Sequence, residues 1–232
     1  MPQHPRRSRV VVAALLALLA FVAVPLTSAS AKKRHGDRHA ISIAKARTLP
    51  LGTVVTIEGT VTTPAGAFAS SFFDEGFGVQ DATAGIFVSF PDTNIGVQPP
   101  RHVVVTGVLK DSDGLLVIAP ASPHDVKVKG KDEPVQPIWV RTGSVGDSTE
   151  GSIVRVVAFI KQAPFVDQDF GHKFTVDDGS GELNVFVNLG TNADVSNLAA
   201  GQLIDVTGFS SEFDGTPEID IRSQADLALP VK

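Results

Sequence analysis

Beyond residue 40 the apolar positions alternate with polar ones at period two. Val55, Ile57 and Val61 share one side of a first run, and Phe77 and Val79 one side of a second. Ile86, Val88 and Phe90 follow, then Val103 and Val105, then Val117. Period two puts such residues on one face of a strand. Turn residues separate the runs: Asp81-Ala82-Thr83-Ala84-Gly85 and Asp111-Ser112-Asp113-Gly114. Short alternating runs joined by Asp/Gly turns predict antiparallel strands and hairpins, five strands in all.

The same pattern is written a second time, about 100 residues further on. Gly52-Thr53-Val54-Val55-Thr56-Ile57 matches Gly151-Ser152-Ile153-Val154-Arg155-Val156. Phe77-Gly78-Val79-Gln80-Asp81 matches Phe174-Thr175-Val176-Asp177-Asp178, and Val103-Val104-Val105-Thr106-Gly107 matches Ile204-Asp205-Val206-Thr207-Gly208. Asp113-Gly114 matches Asp214-Gly215. The spacing is too long for a solenoid, whose periods run roughly 20–50 residues, so this is a domain duplication. In the second unit the turns are Asp178-Gly179-Ser180-Gly181 and Glu212-Phe213-Asp214-Gly215.

Glycines within the strands (Gly59, Gly107, Gly208) let a long strand bend to serve both sides of a small barrel. Five strands, a long bent first strand and a connector between strands three and four describe an OB-fold. The expected architecture is all-β: two tandem five-stranded OB-fold-like Greek-key barrels. A short helix over Ser42–Leu49, capped by Ser42 and stopped by Pro50, precedes the first barrel and plugs it. The connector at residues 192–200 has room for a helical turn or two. Barrel one is assigned to residues 41–128, a charged and Pro-rich linker to 129–137, and barrel two to 138–232. Each half carries its own alternating core and is expected to fold alone.

The first 31 residues have another character. Arg6, Arg7 and Arg9 precede an apolar run from Val10 to Val24, then Pro25 and the small-residue site Ala29-Ser30-Ala31. That is the pattern of a cleaved secretory signal peptide. The run is shorter than the ~20 residues a membrane-spanning helix needs. The reading implies a secreted, periplasmic or extracellular protein, with no transmembrane span after cleavage. Residues 32–40 form a basic arm without periodicity, either a solvated spacer or a tether for an anionic partner.

With these elements placed, the chain resembles a known group. Residues Ile43 to Val61, followed by Val79-Gln80-Asp81-Ala82-Thr83-Ala84-Gly85-Ile86, are similar to OB-fold domains of secreted bacterial proteins. Those domains often accompany extracellular nucleases and phosphoesterases and are labelled nucleic-acid-binding. The similarity extends more loosely over 138–229. It implies the fold and a binding role, through structural glycines and core positions.

Composition narrows the chemistry. The 232 residues contain no Cys and no Tyr, one Trp and 14 Phe. Disulfides, thiolate metal sites and cysteine nucleophiles are excluded. No nucleophile elbow, phosphate-binding loop or zinc-protease motif occurs, and His102, His124 and His172 lack sequence partners, so no enzyme activity is expected. If Ile86 and Val88 face inward, Phe87 faces outward on strand three. By the same parity Asn184 and Phe186 face outward in unit two. OB-folds stack bases there. Phe72 and Phe73 lie in the first loop of unit one, and Phe165 and Phe170 in that of unit two. These rings either meet a ligand or pack against the other barrel, the linker or the loops.

Charge separates the halves. Residues 41–131 hold 7 basic and 8 acidic side chains, whereas residues 132–232 hold 6 and 16. Phosphate binding needs cations, so unit one, with Arg101 and Lys110, is the expected nucleic-acid binder. Asp167, Asp169, Asp177 and Asp178 are either calcium ligands or a solvated acidic face. Two functions follow: a secreted binder of single-stranded nucleic acid, or an extracellular or envelope module binding protein or glycan, with Ca2+ as a stabilising ion.

Overall fold

The computed structural model describes residues 39–67, 76–90, 97–168 and 170–229. Ser42 opens the first element. Its Oγ accepts the Lys45 N–H at 3.2 Å, and α1 (Ile43–Arg47) ends just before Pro50. Ile43 and Ala46 are fully buried and enter the first core, so α1 plugs the barrel as expected.

Five strands enclose that core: β1 (Val54–Val61), β2 (Phe77–Gln80), β3 (Gly85–Val88), β4 (Arg101–Ser112) and β5 (Leu115–Ala119). They pair in the order β1-β2-β3-β5-β4, and β4 returns to β1 to close the ring. The β3–β5 pair is parallel; the others are antiparallel. A further strand, β6 (Val126–Lys131), pairs with β4 and forms an edge. Residues 129–131 are therefore strand, and the linker begins after them.

Barrel two repeats the plan. After the short edge strand β7 (Ile138–Trp139) come β8 (Ile153–Asp167), β9 (Gly171–Asp177), β10 (Leu183–Asn188), β11 (Leu203–Phe213) and β12 (Thr216–Asp220), with β13 (Leu227–Ala228) last. The ring is β8-β9-β10-β12-β11, closed by β11 on β8, and β10–β12 is its parallel pair. The fold is thus all-β, with two tandem OB-fold-like barrels and a short helix before the first. At residues 192–200 the chain makes turns instead of a helix. A 3-10 turn at Leu189–Thr191 ends on Asn192 in the left-handed region, and Val195 packs into the core.

Each barrel has its own core of alternate residues. Gly107 and Gly208 occupy equivalent places where the long fourth strand crosses the fifth. A Cβ on Gly107 would sit 2.7 Å from the Ala119 backbone, and one on Gly208 2.5 Å from Ile219. Close strand approach, not turn formation, explains these two glycines.

A third apolar cluster lies between the barrels. Phe87, Leu115 and Val117 leave barrel one, and Ile153 and Phe209 leave barrel two; Ala67 joins them. The Phe87 and Phe209 rings meet edge to face with centroids 5.9 Å apart. Polar contacts surround this seam. Arg47 donates to Glu150 Oε1 at 2.9 Å, and the same oxygen accepts the Leu116 N–H. Gln80 Oε1 accepts the Ile153 N–H at 2.9 Å, and Arg222 donates to Thr62 O at 3.1 Å. The two Asp-Gly hairpins meet as well, Asp214 N–H on Asp113 O at 2.9 Å. At Gly85 and Gly151 the backbones themselves touch. A Cβ on Gly85 would lie 1.9 Å from Gly151 O. The described residues of both barrels belong to one compact unit.

Candidate functional site

An OB barrel offers the outer face of its second and third strands to ligands. In barrel one that face is spent. Ile86 and Val88 point inward as the alternation requires, so Phe87 does leave the barrel, but barrel two covers it and its exposure is 0%. Gly78 on β2 lies against the Phe209 ring for the same reason. Phe87 as a ligand-binding residue is therefore corrected: it is interface core. Period two reports which side a residue leaves, but not what waits there.

Barrel two keeps the equivalent face open. Directly paired residues point to the same side of a sheet. Phe186 on β10 pairs with Lys173 on β9, which pairs with Phe165 on β8. Gln162, Thr175 and Asn184 form the neighbouring row. The core residues Phe174, Val176, Val185 and Val187 occupy the opposite side. So the expected outward placement of Phe186 and Asn184 is what the structure has, and Phe165 and Lys173 join them.

The sequence explains this placement. The β8–β9 ladder shifts register between Ile160 and Gln162 and again between Gln162 and Phe165. Pro164 lies in the second shift and has no N–H to give the ladder. Beyond it the strand continues as an arm of the β8–β9 hairpin, with Phe165 (41%), Val166 (68%) and Phe170 (50%) exposed. Leu189 N–H donates to Phe170 O, which ties the hairpin tip to the end of β10.

Lys173 is the hub of the row. Its Nζ lies 5.6 Å from the centre of the Phe186 ring, 3.3 Å from Asp167 Oδ2 and 3.4 Å from Glu218 Oε2. Burial works against its charge, but Glu218 and Asp167 more than offset this and lift its pKa. Burial pushes Glu218 up, with Lys173 opposing. Asp220, beside Phe186 on β12, is pushed well up by burial and then by the Glu218 charge, and its Oδ1 has no hydrogen-bond partner. The Phe186 ring therefore lies by an ammonium whose charge is largely matched by carboxylates, with Phe165 the cross-strand partner of that lysine. Such a face can stack planar groups more readily than it can grip bare phosphate.

The remaining sequence candidates fall elsewhere. Phe72, Phe73 and Asp169 lie outside the described residues. Arg101 and Lys110 are exposed at opposite ends of β4, about 30 Å apart at the ordinary strand rise. The proposed calcium ligands are not gathered. Asp167 pairs with Lys173, whereas Asp177 and Asp178 sit at the far end of β9, roughly 20 Å away by strand rise. Asp177 caps the turn through the Gly179 and Gly181 N–H groups. Asp178 accepts the Ser180 and Thr142 hydroxyls and is held down to about 2, with the Ser180 hydroxyl the foremost cause. Asp177 and Asp178, adjacent in sequence, serve the turn here. Among the described residues no cluster of three or more His, Asp or Glu is arranged to hold a metal ion, and no helix is long and apolar enough to cross a membrane.

Sequence reasoning passed over Lys173 and undervalued Phe165. Pro164 was the available signal, because a proline inside a strand marks a bulge and a re-aimed side chain.

Fold and face together define two OB-fold-like barrels, one with the outer face of its second and third strands covered and one with that face uncovered. No family model matches the sequence. The chain is 26% identical over 191 residues to Endonuclease YhcR of Bacillus subtilis (strain 168), covering 77% of this chain. It spans only 15% of that protein's length. Solved structures with a similar fold include a murine DNA binding protein bound with ds DNA, at 13% identity and a TM-score of 0.40, covering 76% of this chain and 97% of that one. The p202 HIN1 domain in complex with 12-mer dsDNA has 12% identity and a TM-score of 0.38, covering 77% and 95%. A replication protein A heterotrimer bound to ssDNA has 16% identity and a TM-score of 0.29, covering 34% and 58%.

Proposed function

We propose that this chain is a secreted, non-enzymatic module that binds single-stranded nucleic acid on the open face of barrel two. The observation that carries the reading is the Phe165–Lys173–Phe186 row, which runs from an exposed Phe165 on the first strand of barrel two to a half-buried Lys173 and Phe186 on the second and third, the strands that OB-folds use for ligands. Rings on the two strands that flank β9 give two bases a stacking surface, and Asn184, Thr175 and Gln162 offer hydrogen bonds to base edges. The relation to part of an endonuclease supports a role in holding a strand for chemistry performed elsewhere. The signal-like segment at residues 1–31 supports export.

This reading moves the binding surface from barrel one to barrel two despite the acidity of the latter. Stacking tolerates that acidity better than phosphate contact does. Base–aromatic stacking contributes roughly 1–3 kcal/mol per base, so Phe186→Ala and Phe165→Ala should each weaken binding by about five- to over a hundredfold. The measurement is fluorescence anisotropy with a labelled single-stranded oligonucleotide at constant salt. Absence of binding by the unaltered chain would remove the nucleic-acid reading and favour a protein or glycan partner. Binding indifferent to both substitutions would retire the site.

A further inference from the structure

Strands β8 and β11 close barrel two, and they leave apolar side chains on its outside. Val154, Val156, Ala158 and Ile160 point into the core, as do Ile204 and Val206. Arg155, Val157 and Phe159 therefore point out, opposite Thr207, Asp205 and Leu203. Trp139 on the edge strand β7 pairs with Arg155, whose guanidinium lies 4.2 Å from the centre of the Trp139 ring. Trp139 (62%) and Phe159 (53%) are exposed on this face, and Leu203 and Val157 join them.

Barrel one supplies an internal comparison. The two ladders share a register, with Val55 opposite Gly107 in one and Val154 opposite Gly208 in the other. Phe159 and Leu203 then answer to Thr60 and His102, and Val157 answers to Glu58. In barrel one the first two are polar and engaged: Thr60 donates to Asp132 Oδ2 at 2.7 Å, and His102 Nδ1 lies 2.8 Å from the same oxygen. The fold therefore does not require apolar residues at these places. Local roles cover part of the difference. A cross-strand pair such as Phe159 with Leu203 steadies a ladder, and Trp139 on Arg155 pins the start of barrel two to β8. Neither role takes the four side chains out of water.

Area and charge indicate what covers them. At ordinary side-chain areas the four residues leave roughly 400 Å² of apolar surface to water, a patch of the size that marks an interaction site. A standard interface takes about 800 Å² from each partner, with an apolar centre and a polar rim, so the patch suffices for such a centre. The charges within the face are Arg155 and Asp205, joined from Nε to Oδ1 at 2.8 Å and again from Nη2 to Oδ2. Lys161 and Asp177, next to Phe159, add one charge of each sign at the rim. A locally neutral face offers little to a polyanion or a highly charged protein. It is instead self-complementary: a two-fold axis through it sets Arg155 of each copy toward Asp205 of the other.

We infer that this face is a self-association surface, on which two copies of the chain pair about a two-fold axis with Trp139, Phe159 and Leu203 at the centre. The inference is independent of the nucleic-acid reading, because it uses neither the Phe165–Lys173–Phe186 row nor any phosphate contact. Apolar burial of this extent supports a reversible dimer at the micromolar end of the interface range, not an obligate one. Residues 132–232 carry 6 basic and 16 acidic side chains, so two copies repel at long range. Added salt screens that repulsion and spares the apolar contact. Dimerisation should therefore tighten with salt, the opposite of phosphate binding.

The test is sedimentation equilibrium of the full chain without nucleic acid, over a concentration series at two salt concentrations. The expected result is a monomer–dimer equilibrium that moves toward dimer at the higher salt. Phe159→Thr combined with Leu203→His gives the ladder the pair that barrel one carries in the same register, and should weaken dimerisation by about tenfold or more. Trp139→Gln, on the edge strand and outside both cores, should weaken it in the same direction. Phe186→Ala should leave it unchanged. A chain that is monomeric at every concentration and salt overturns the inference. So does a dimer that both face variants leave intact, or an open-ended series of larger assemblies. Each of these results leaves the oligonucleotide-binding face to be judged by its own measurement.

Discussion

At the scale of single residues, environment assigns roles that residue type alone does not. Phe87 and Asn184 hold the same place in their barrels, yet Phe87 is interface core, whereas Asn184 and Phe186 lie half-buried on an outer face that the other barrel does not seal. Phe87→Ala should cost about 3–5 kcal/mol in denaturant unfolding and leave the oligonucleotide affinity of the folded fraction unchanged. Arg47 offers a second check. Its removal would strand the Glu150 carboxylate in the seam, where burial already pushes that group's pKa up. Loss of one partner of a buried pair costs about 3–5 kcal/mol, so Arg47→Ala should show a comparable fall in unfolding free energy. Asp220 gives a pH dependence. The native state holds its proton above the pH at which the unfolded chain releases it. Its contribution is therefore complete below the ordinary carboxylate range and declines as pH rises toward the folded value. Asp220→Asn should gain on the parent protein in thermal melts as pH increases from 4 to 8. Parallel melting curves for the two proteins would show that Asp220 ionises freely in the native state.

At the scale of elements, alternation and turn residues carried most of the information. The runs around Val55, Val79, Ile86, Val103 and Val117 are β1 to β5, and both Asp-Gly turns close the expected hairpins with positive φ at Asp113, Gly114, Asp214 and Gly215. Ser42 caps α1 as its side chain and position suggested. What period two left illegible was tertiary. Phe87 leaves its sheet on the side the sequence indicated, but the sequence held no sign of a second barrel there. Nor did Gly85 and Gly151 announce that their backbones meet, since each reads as an ordinary turn residue. The Pro164 bulge was visible only as a proline, and its consequence for Phe165 depends on the register of β9. Gly85→Ala probes the seam at this scale. Its new Cβ would overlap Gly151 O, so the substitution should cost well over the roughly 1 kcal/mol of an ordinary replacement. Gly130→Ala, with nothing within 4 Å of the added carbon, is the matched control and should be close to neutral.

At the scale of the whole molecule, two barrels of one plan differ in what covers their outer faces. The shared cluster of Phe87, Leu115, Val117, Ile153 and Phe209 couples them, so heating should melt both in one cooperative transition. Residues 40–130 alone would expose Phe87, Leu115 and Val117 to water, and that fragment should be less stable than the intact chain and prone to associate. The sequence suggested two halves able to stand apart; the seam makes each the other's support. It also fixes which surface is left for a ligand, and on that the functional account depends. The most direct measurement is amide chemical-shift mapping on isotope-labelled full chain titrated with a short single-stranded oligonucleotide. The largest shifts are expected at residues 162–167, 171–175 and 184–188. Shifts confined to residues 77–88 of barrel one, or absent throughout at saturating oligonucleotide, would contradict it.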